Sequence, residues 1–296
     1  MSAPRIAAHL IVGPKEEPFL GALLASLNGA VSSAIVNDNA PDPSPHARVL
    51  EESALAARDA LVVDRTPFAD FASARNVCMG LHAERDAGEW VAFVDADEVH
   101  GEAVSRIASR LDRVPDDVGF VDGYTWHFFQ SPDWYASIER RMAFHRFVPG
   151  ARWEGKVHER LKGIDGRRIA LPYVYGHYGH LVPPRRHAEK GRLYASLGQD
   201  GEVVAEDRLD SIDVGYYFRN QWPALLRFRG DHPPAARATI AGLRASLAAQ
   251  FAQADAMVRA HQPPLRRARN LLEMANYELR WRGRGLDRLA RELVRP

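Results

Sequence analysis

Through the first hundred positions, apolar residues gather in short runs separated by turn signals. Ile6 to Val12 is one such run, closed by Gly13-Pro14, and a run of that length bounded by Gly and Pro reads as a buried strand. Phe19, Leu23, Leu24 and Leu27 follow at helical spacing. A second strand is expected over 33–36, stopping at Asn37-Asp38-Asn39, then a Pro-rich loop, a helix near 46–58 and a third strand at 60–63. Ala74, Val77, Cys78 and Leu81 predict a helix over 71–83, and Val91 to Val94 a fourth buried strand. Strand and helix by turns point to an α/β sheet domain.

Beyond Val99 the segments lengthen and look β-like, at 118–129, 142–148 and 168–175, with antiparallel pairing the expectation. After His180 the texture turns helical, punctuated by Pro183-Pro184, Pro233-Pro234 and Pro263-Pro264. Proline is rare inside helices, so each pair marks a joint. Between the last two pairs, Ile240, Leu243, Leu247, Phe251, Ala254 and Val258 recur at steps of three and four, the period of one amphipathic helix. The expected division is a sheet domain over 1–182 and a helical region over 183–296.

Composition narrows the classes. With 296 residues, 46% of them hydrophobic, the chain can bury about three quarters of its unfolded surface. A net charge of +1 supplies no field that would gather nucleic acid, which argues against that partner. Cys78 is alone, which rules out an internal disulfide or a cysteine-built zinc site and fits a reducing cytoplasm. No stretch approaches the roughly 20 apolar residues that span a bilayer, and the N-terminus lacks a signal-like core, so a cytoplasmic protein is the expectation. The segment 265–296 carries nine arginines against four acids, a balance of +5, with Leu271, Leu272, Leu279, Leu286, Leu289 and Leu293 among them. Two readings of it stand, a solvated basic face on a packing helix or peripheral contact with a membrane surface. Its leucines could pack on the sheet domain or on a second copy, which leaves the oligomeric state open.

The candidate chemistry centres on Glu89-Trp90-Val91-Ala92-Phe93-Val94-Asp95-Ala96-Asp97-Glu98, an apolar strand that ends abruptly in three carboxylates. Ligands of α/β sheets collect outside the carboxyl ends of strands. Asp95 and Asp97 stand two apart, so in extended geometry they project to one side and can share a hard divalent cation, Mg²⁺ or Mn²⁺, whose other ligands would be phosphates. Glu98 points away from Asp97 and lies outside that set. The plain alternative is an acidic surface turn. Nearby, Asp38 offers a carboxylate suited to a uracil imide or a ribose hydroxyl, and Arg75 a planar fork for a diphosphate. Each also has a plain reading, as turn chemistry and as a solvated charge, with Asp70 or Ser73 capping the helix.

Together, Phe71-Ala-Ser-Ala-Arg-Asn and Gly88-Glu-Trp-Val-Ala-Phe-Val-Asp-Ala-Asp-Glu resemble the inverting family 2 glycosyltransferases, whose nucleotide-binding mixed sheet flanked by helices is the GT-A fold. Trp153-Glu-Gly-Lys-Val-His-Glu159 resembles the Trp-x-Gly-x-Val-His-Glu segment of one branch of that family, and Gly176-His-Tyr-Gly-His180 adds to it. The resemblance covers about residues 5 to 180, leaving a helical C-terminal extension. It implies a nucleotide-sugar donor, a UDP or GDP sugar, and a sugar or lipid-linked acceptor. Asp97 matches the principal metal carboxylate and Asp95 a second one, acting through water or the ribose. Asp38 matches the base-binding acid, Arg75 an arginine near the diphosphate, and Ile11, Val12 and Gly13, with Ala96 of the motif, the lining of the nucleotide. Where relatives show Lys-Asn-Glu after the first strand, this chain has Gly13-Pro14-Lys15-Glu16-Glu17.

An inverting transfer needs one base to take the acceptor hydroxyl's proton. Glu159 is the candidate, as a buried carboxylate raised toward neutrality, with His158 the runner-up or the group that orients it. His177 could complete the metal shell, although a lone His in an aromatic strand also serves as a hydrogen-bonded core residue. Of the aromatic group Trp126, His127, Phe128, Trp134 and Trp153, the acceptor candidates are Trp153 and Trp126; core packing is the alternative.

Other phosphate chemistries fit less well. Haloacid dehalogenase phosphatases place Asp-x-Asp after the first strand and follow it with Thr, a nucleotidyltransferase wants a Gly-rich loop there, and no P-loop motif is present. The rival from a different class is a non-catalytic scaffold that keeps the sheet for binding nucleotide sugar or protein.

Overall fold

The computed structural model of the chain describes residues 3–200, 203–215 and 225–262, together with the isolated positions 264, 265, 268 and 272. The basic leucine-rich stretch at 265–296 therefore falls almost entirely outside the described residues. A mixed α/β sheet of nine strands, flanked by helices, organises the rest.

Its parallel half follows from the apolar runs. Strands β1 (Ile6–Val12), β2 (Ser33–Asp38), β3 (Leu61–Asp64) and β4 (Trp90–Phe93) lie side by side in the order β3-β2-β1-β4, all parallel. β1 buries six of its seven residues, as a strand covered on both faces must. Helices α1 (Leu20–Leu27), α2 (Ala47–Glu51) and α3 (Phe71–Arg85) connect these strands. Asp70 caps α3, its carboxylate accepting from the Ser73 N–H at 2.7 Å. The buried stripe of α3 differs from the expected one. Arg75 and His82 are buried in it, while Val77 and Leu81 are only half-buried. The helix turns a charge inward because carboxylates from elsewhere meet it there.

The second half is built from long strands, β6 (Val118–Phe129), β7 (Trp134–Arg146) and β10 (Arg167–His180). β6 and β7 are antiparallel, as expected, but β10 runs parallel to β6. The segment expected at 142–148 is the end of β7, which begins at Trp134. A three-residue strand that the pattern did not predict, β5 (Glu98–His100), pairs antiparallel with β10 at the far edge of the sheet, and α4 (Ile107–Leu111) follows it in the chain. β4 and β5 are separated by β7, β6 and β10 in the sheet, yet only residues 94–97 join them. In a flat sheet four strand spacings come to about 19 Å, more than the roughly 18 Å that five fully extended residue steps can reach. The link is moreover a turn, closed by Glu98 N–H to Asp95 O at 3.0 Å. The sheet must curl, and the curl sets Asp97 beside β10. A hairpin of β8 (Arg152–Glu154) and β9 (Arg160–Lys162) packs against α3.

Past residue 182 the chain remains tied to this sheet. Pro183-Pro184 starts α5 (Pro184–Ser196), and β11 (Leu226–Arg227) adds antiparallel to β7. Pro233-Pro234 opens a 3-10 turn leading into α6 (Arg237–Ser246). The single helix expected over 240–258 is broken at Leu247, where α7 (Ala248–His261) begins. The two halves serve different clusters. Ile240 packs with Phe19, Phe128 and Tyr178, whereas Ala254 and Val258 pack with Phe129, Trp134 and Leu225. Among the described residues no helix is long and apolar enough to cross a membrane. Cys78 is fully buried in the parallel half, where burial pushes its thiol up to about 11.

Buried histidines give the fold a pH dependence. Burial pushes His100 down to about 3 and His145 down to about 4, against an ordinary value of 6.5. Both stay neutral in the fold while the unfolded chain takes up a proton on each. Stability is therefore intact above the unfolded value and is lost as pH falls through the window toward about 4, each histidine adding a slope of about 1.4 kcal/mol per pH unit. Thermal melts from about pH 7.5 to 4.5 should show Tm falling below about 6.5, with a shallower fall in His145→Gln; a flat profile would contradict this.

Candidate functional site

The C-terminal ends of β1, β2 and β4 meet at one edge. Val12 pairs in register with Asp38, and the Val94 N–H donates to His9 O at 3.4 Å, so the acidic turn after β4 emerges alongside β1. Ile11 and Gly13 are half-buried at this edge, Val12 is buried, and its carbonyl accepts from Asn39 N–H at 3.0 Å. Asp38 is 1% exposed and already engaged. Its Oδ1 accepts from the Ala40 N–H at 3.1 Å and lies 3.5 Å from His46 Nδ1, while Arg65 pairs with Oδ2. A nucleobase or ribose reaching Asp38 would have to displace Arg65.

Arg75 organises the acidic turn. Its NH2 donates to Asp95 Oδ1 at 2.8 Å and its Nε to Glu159 Oε1 at 2.5 Å. The guanidinium lies over the Phe93 ring, 3.9 Å from its centroid, and Trp153 stacks on Phe93 at 5.0 Å with its own ring 5.5 Å from the guanidinium. Arg75 thus sits beneath the site as a bridge between two carboxylates, and not as the free diphosphate fork expected from sequence. Arg141 of β7 adds a second cation, 3.5 Å from both Asp95 Oδ2 and Glu98 Oε1. Burial pushes the Asp95 carboxyl up, but Arg75 and Arg141 more than offset it and hold it well below the usual carboxylate range. Glu98 goes the other way. It is 2% exposed, burial and the Asp95 charge push it well above its ordinary value, and its Oε2 accepts from the Asp95 N–H at 3.1 Å, which braces the turn.

Asp97 faces β10. Its Oδ1 is buried without a well-formed hydrogen bond, His177 Nε2 lies 3.4 Å away, and its backbone oxygen accepts from the Tyr178 N–H at 2.8 Å. A Cβ added at Gly179 would run into Asp97 Oδ2. Gly179→Ala is therefore expected to displace Asp97 and weaken Mn²⁺ binding about tenfold or more with every ligand still present. Calorimetry with Mn²⁺ alone checks it, and an unchanged affinity would mean that Asp97 does not bind the ion. An unsatisfied carboxylate oxygen, a second carboxylate and an imidazole form a donor set that fits a divalent cation such as Mn²⁺.

Helix α5 closes the other side. Lys15 and Glu17, from the loop after β1, pair with Glu189 and Arg186, the latter by an Arg186 NH2 donation to Glu17 Oε1 at 2.7 Å. Burial and the charge of Asp97 push Glu17 up to about 7. On the same helix Lys190 stands in the field of Asp97 and Asp95. Burial lowers its ammonium, and those carboxylates with Tyr194 more than reverse that. Three imidazoles, His127, His177 and His180, cluster beside Asp97, and all are shifted down, chiefly by burial.

Thus Val12, Asp38, Arg75, Asp95, buried Ala96, Asp97, Glu159 and His177 come together, and three expected residues do not. Trp126 is on the opposite face of the sheet from His127, because successive strand residues alternate. It lines a cavity of about 360 Å³ with Phe128, Tyr178, Phe228 and His232, away from Asp97. Trp153 is 5% exposed and packs under Arg75, and its backbone N–H donates to Asn76 Oδ1 at 2.8 Å, so it offers no open face to a sugar. His158 is solvent-exposed at a positive φ of 55° in the tight β8–β9 turn. The sequence reading missed Glu17, Arg65, Arg141 and Lys190, which reach the site from separate loops and elements. Only the β7 alternation carried any signal, for Arg141.

A comparison with protein-family models finds no match, nor does one with curated proteins. Solved structures do resemble the chain. The mannosyltransferase PcManGT from Pyrobaculum calidifontis, in complex with GDP-Man and Mn²⁺, shares 16% identity over 92% of this chain and 85% of its own, with a TM-score of 0.44. TarS 1–349 of S. aureus shares 16% over 87% and 83%, with a TM-score of 0.41. GalNAc-T7 with UDP, GalNAc and Mn²⁺ shares 11% over 60% and 44%, with a TM-score of 0.39.

Proposed function

We propose that this chain is a GT-A type glycosyltransferase that moves a sugar from a UDP or GDP sugar to an acceptor hydroxyl with inversion. The observation that carries the reading is the Arg75 bridge, which joins Asp95 of the acidic turn to Glu159 of the β8–β9 hairpin across 84 residues of sequence between Arg75 and Glu159. A motif acid and a candidate base are thereby held at one sheet edge.

Asp97, Asp95 and His177 would hold a divalent cation, Mn²⁺ or Mg²⁺, which when bound supplies positive charge against the diphosphate. Asp38 and the ends of β1 and β2 line the nucleoside side. Arg141 and Lys190 add fixed positive charge close to where the leaving group's negative charge builds. Glu159 takes the acceptor's proton, and Arg75 orients it by holding Oε1. The acceptor hydroxyl attacks the anomeric carbon as the bond to the diphosphate oxygen breaks.

Calorimetry with UDP, GDP and their sugars, with and without Mn²⁺, tests this. Metal-dependent binding of one nucleotide family is expected. Absence of nucleotide binding, or binding indifferent to the metal, would leave the non-catalytic scaffold as the reading.

A further inference from the structure

His127 on β6 and His177 and His180 on β10 each bring one ring nitrogen to a common place, with the three atoms within 4.8 Å of one another. The ring centroids of His127 and His177 are 4.8 Å apart, and those of His177 and His180 5.3 Å. His177 and His127 are paired in register on neighbouring parallel strands, so they share a face. His180 lies three residues on and in regular strand geometry would face the other way. A register shift between His177 and His180 turns it back to the same side.

We infer that His127, His177 and His180 form a binding site for a borderline transition metal of the Zn²⁺ or Co²⁺ class, adjoining the Asp95–Asp97 carboxylates and sharing His177 with them. Imidazole nitrogen suits such metals and is a poor ligand for Mg²⁺. His177 is 8% exposed, and its Nδ1 is buried without a hydrogen-bond partner while Nε2 faces Asp97, so the ring has a nitrogen to spare. A tetrahedral site with Zn–N near 2.0–2.1 Å sets its nitrogens about 3.4 Å apart, so rotations of about 1 Å at the ring tips would complete it. Glu139, whose Oε2 is 3.3 Å from His127 Nε2, can orient that ring from outside.

Metal binding by these three rings does not depend on sugar transfer. The test uses the full chain stripped with a chelator and titrated with Co²⁺, whose visible ligand-field bands report nitrogen coordination. The expected result is saturable binding with intense bands, displaced by Zn²⁺ but unaffected by about a tenfold excess of Mg²⁺. His127→Gln and His180→Gln, each checked for an unchanged circular dichroism spectrum, should each weaken Co²⁺ binding about tenfold or more and change the bands. Bands that survive both substitutions but vanish in Asp97→Asn would overturn the site, because the ion would then belong to the carboxylates alone. Failure to bind Co²⁺ or Zn²⁺ would overturn it as well. If the bands appear as expected but no UDP or GDP binds, the three-histidine site stands and only the transferase reading falls.

Discussion

Asp97→Ala should weaken Mn²⁺-dependent binding of the cognate nucleotide by at least about a hundredfold, beyond the 10- to 100-fold typical of losing an outer-shell partner. The reason is local. Asp97 Oδ1 is buried without a good hydrogen bond, and the other acid of the pair, Asp95, is already gripped by Arg75 and half-shared with Arg141. Asp97 is thus the carboxylate with the most to gain from a cation. Asp97 also helps to hold the buried Lys190 ammonium, so the loss is assigned to binding when the variant's Tm stays close to the parent's. Metal-free nucleotide affinity provides the control, and it should change little. Isothermal titration with and without Mn²⁺ separates the two. Equal losses in both conditions would assign Asp97 to the fold or the nucleoside pocket, and retention of the metal-dependent part would remove it from the metal site.

How much of this was legible in the sequence depended on which physics set each feature. The parallel half follows from apolar runs ended by Gly, Pro or Asn, and its strands fall where β1, β2, β3 and β4 were expected, because a strand covered on both faces has few alternatives. The second half depended on partners far away in sequence. β5 holds three residues, too few for any pattern, and exists because Glu98 to His100 find β10 across the curl. The helix break at Leu247 likewise has no local breaker and follows from two clusters drawing on two halves. At the site, the Asp95–Asp97 turn, Asp38 and Glu159 were visible as residue types at element ends. Their real partners were not, since Arg65, Arg141 and α5 are brought there only by the tertiary fold. The placement of Trp126 was readable after all. It is one residue from His127 in a strand, so a site built on one cannot use the other.

Glu159→Gln should leave nucleotide affinity within a few fold and lower turnover by about a hundredfold or more, close to 2.7 kcal/mol of transition-state stabilisation. Glutamine keeps a side-chain oxygen where Arg75 Nε donates to Glu159 Oε1 at 2.5 Å, and Asp95 still holds the other arm of the guanidinium, so the bridge and the turn should persist. What the substitution removes is the capacity to accept a proton. An alanine at the same place would also release Arg75 over Phe93, and so would mix a structural effect with a chemical one. Steady-state kinetics against calorimetry resolves the pair of roles. If nucleotide binding collapses in Glu159→Gln, Glu159 acts by positioning Arg75 and the base lies elsewhere, with Glu17, pushed up to about 7 beside Asp97, the next carboxylate to replace. If turnover is untouched in both Glu159→Gln and Glu17→Gln, transfer with a carboxylate base at this edge is excluded.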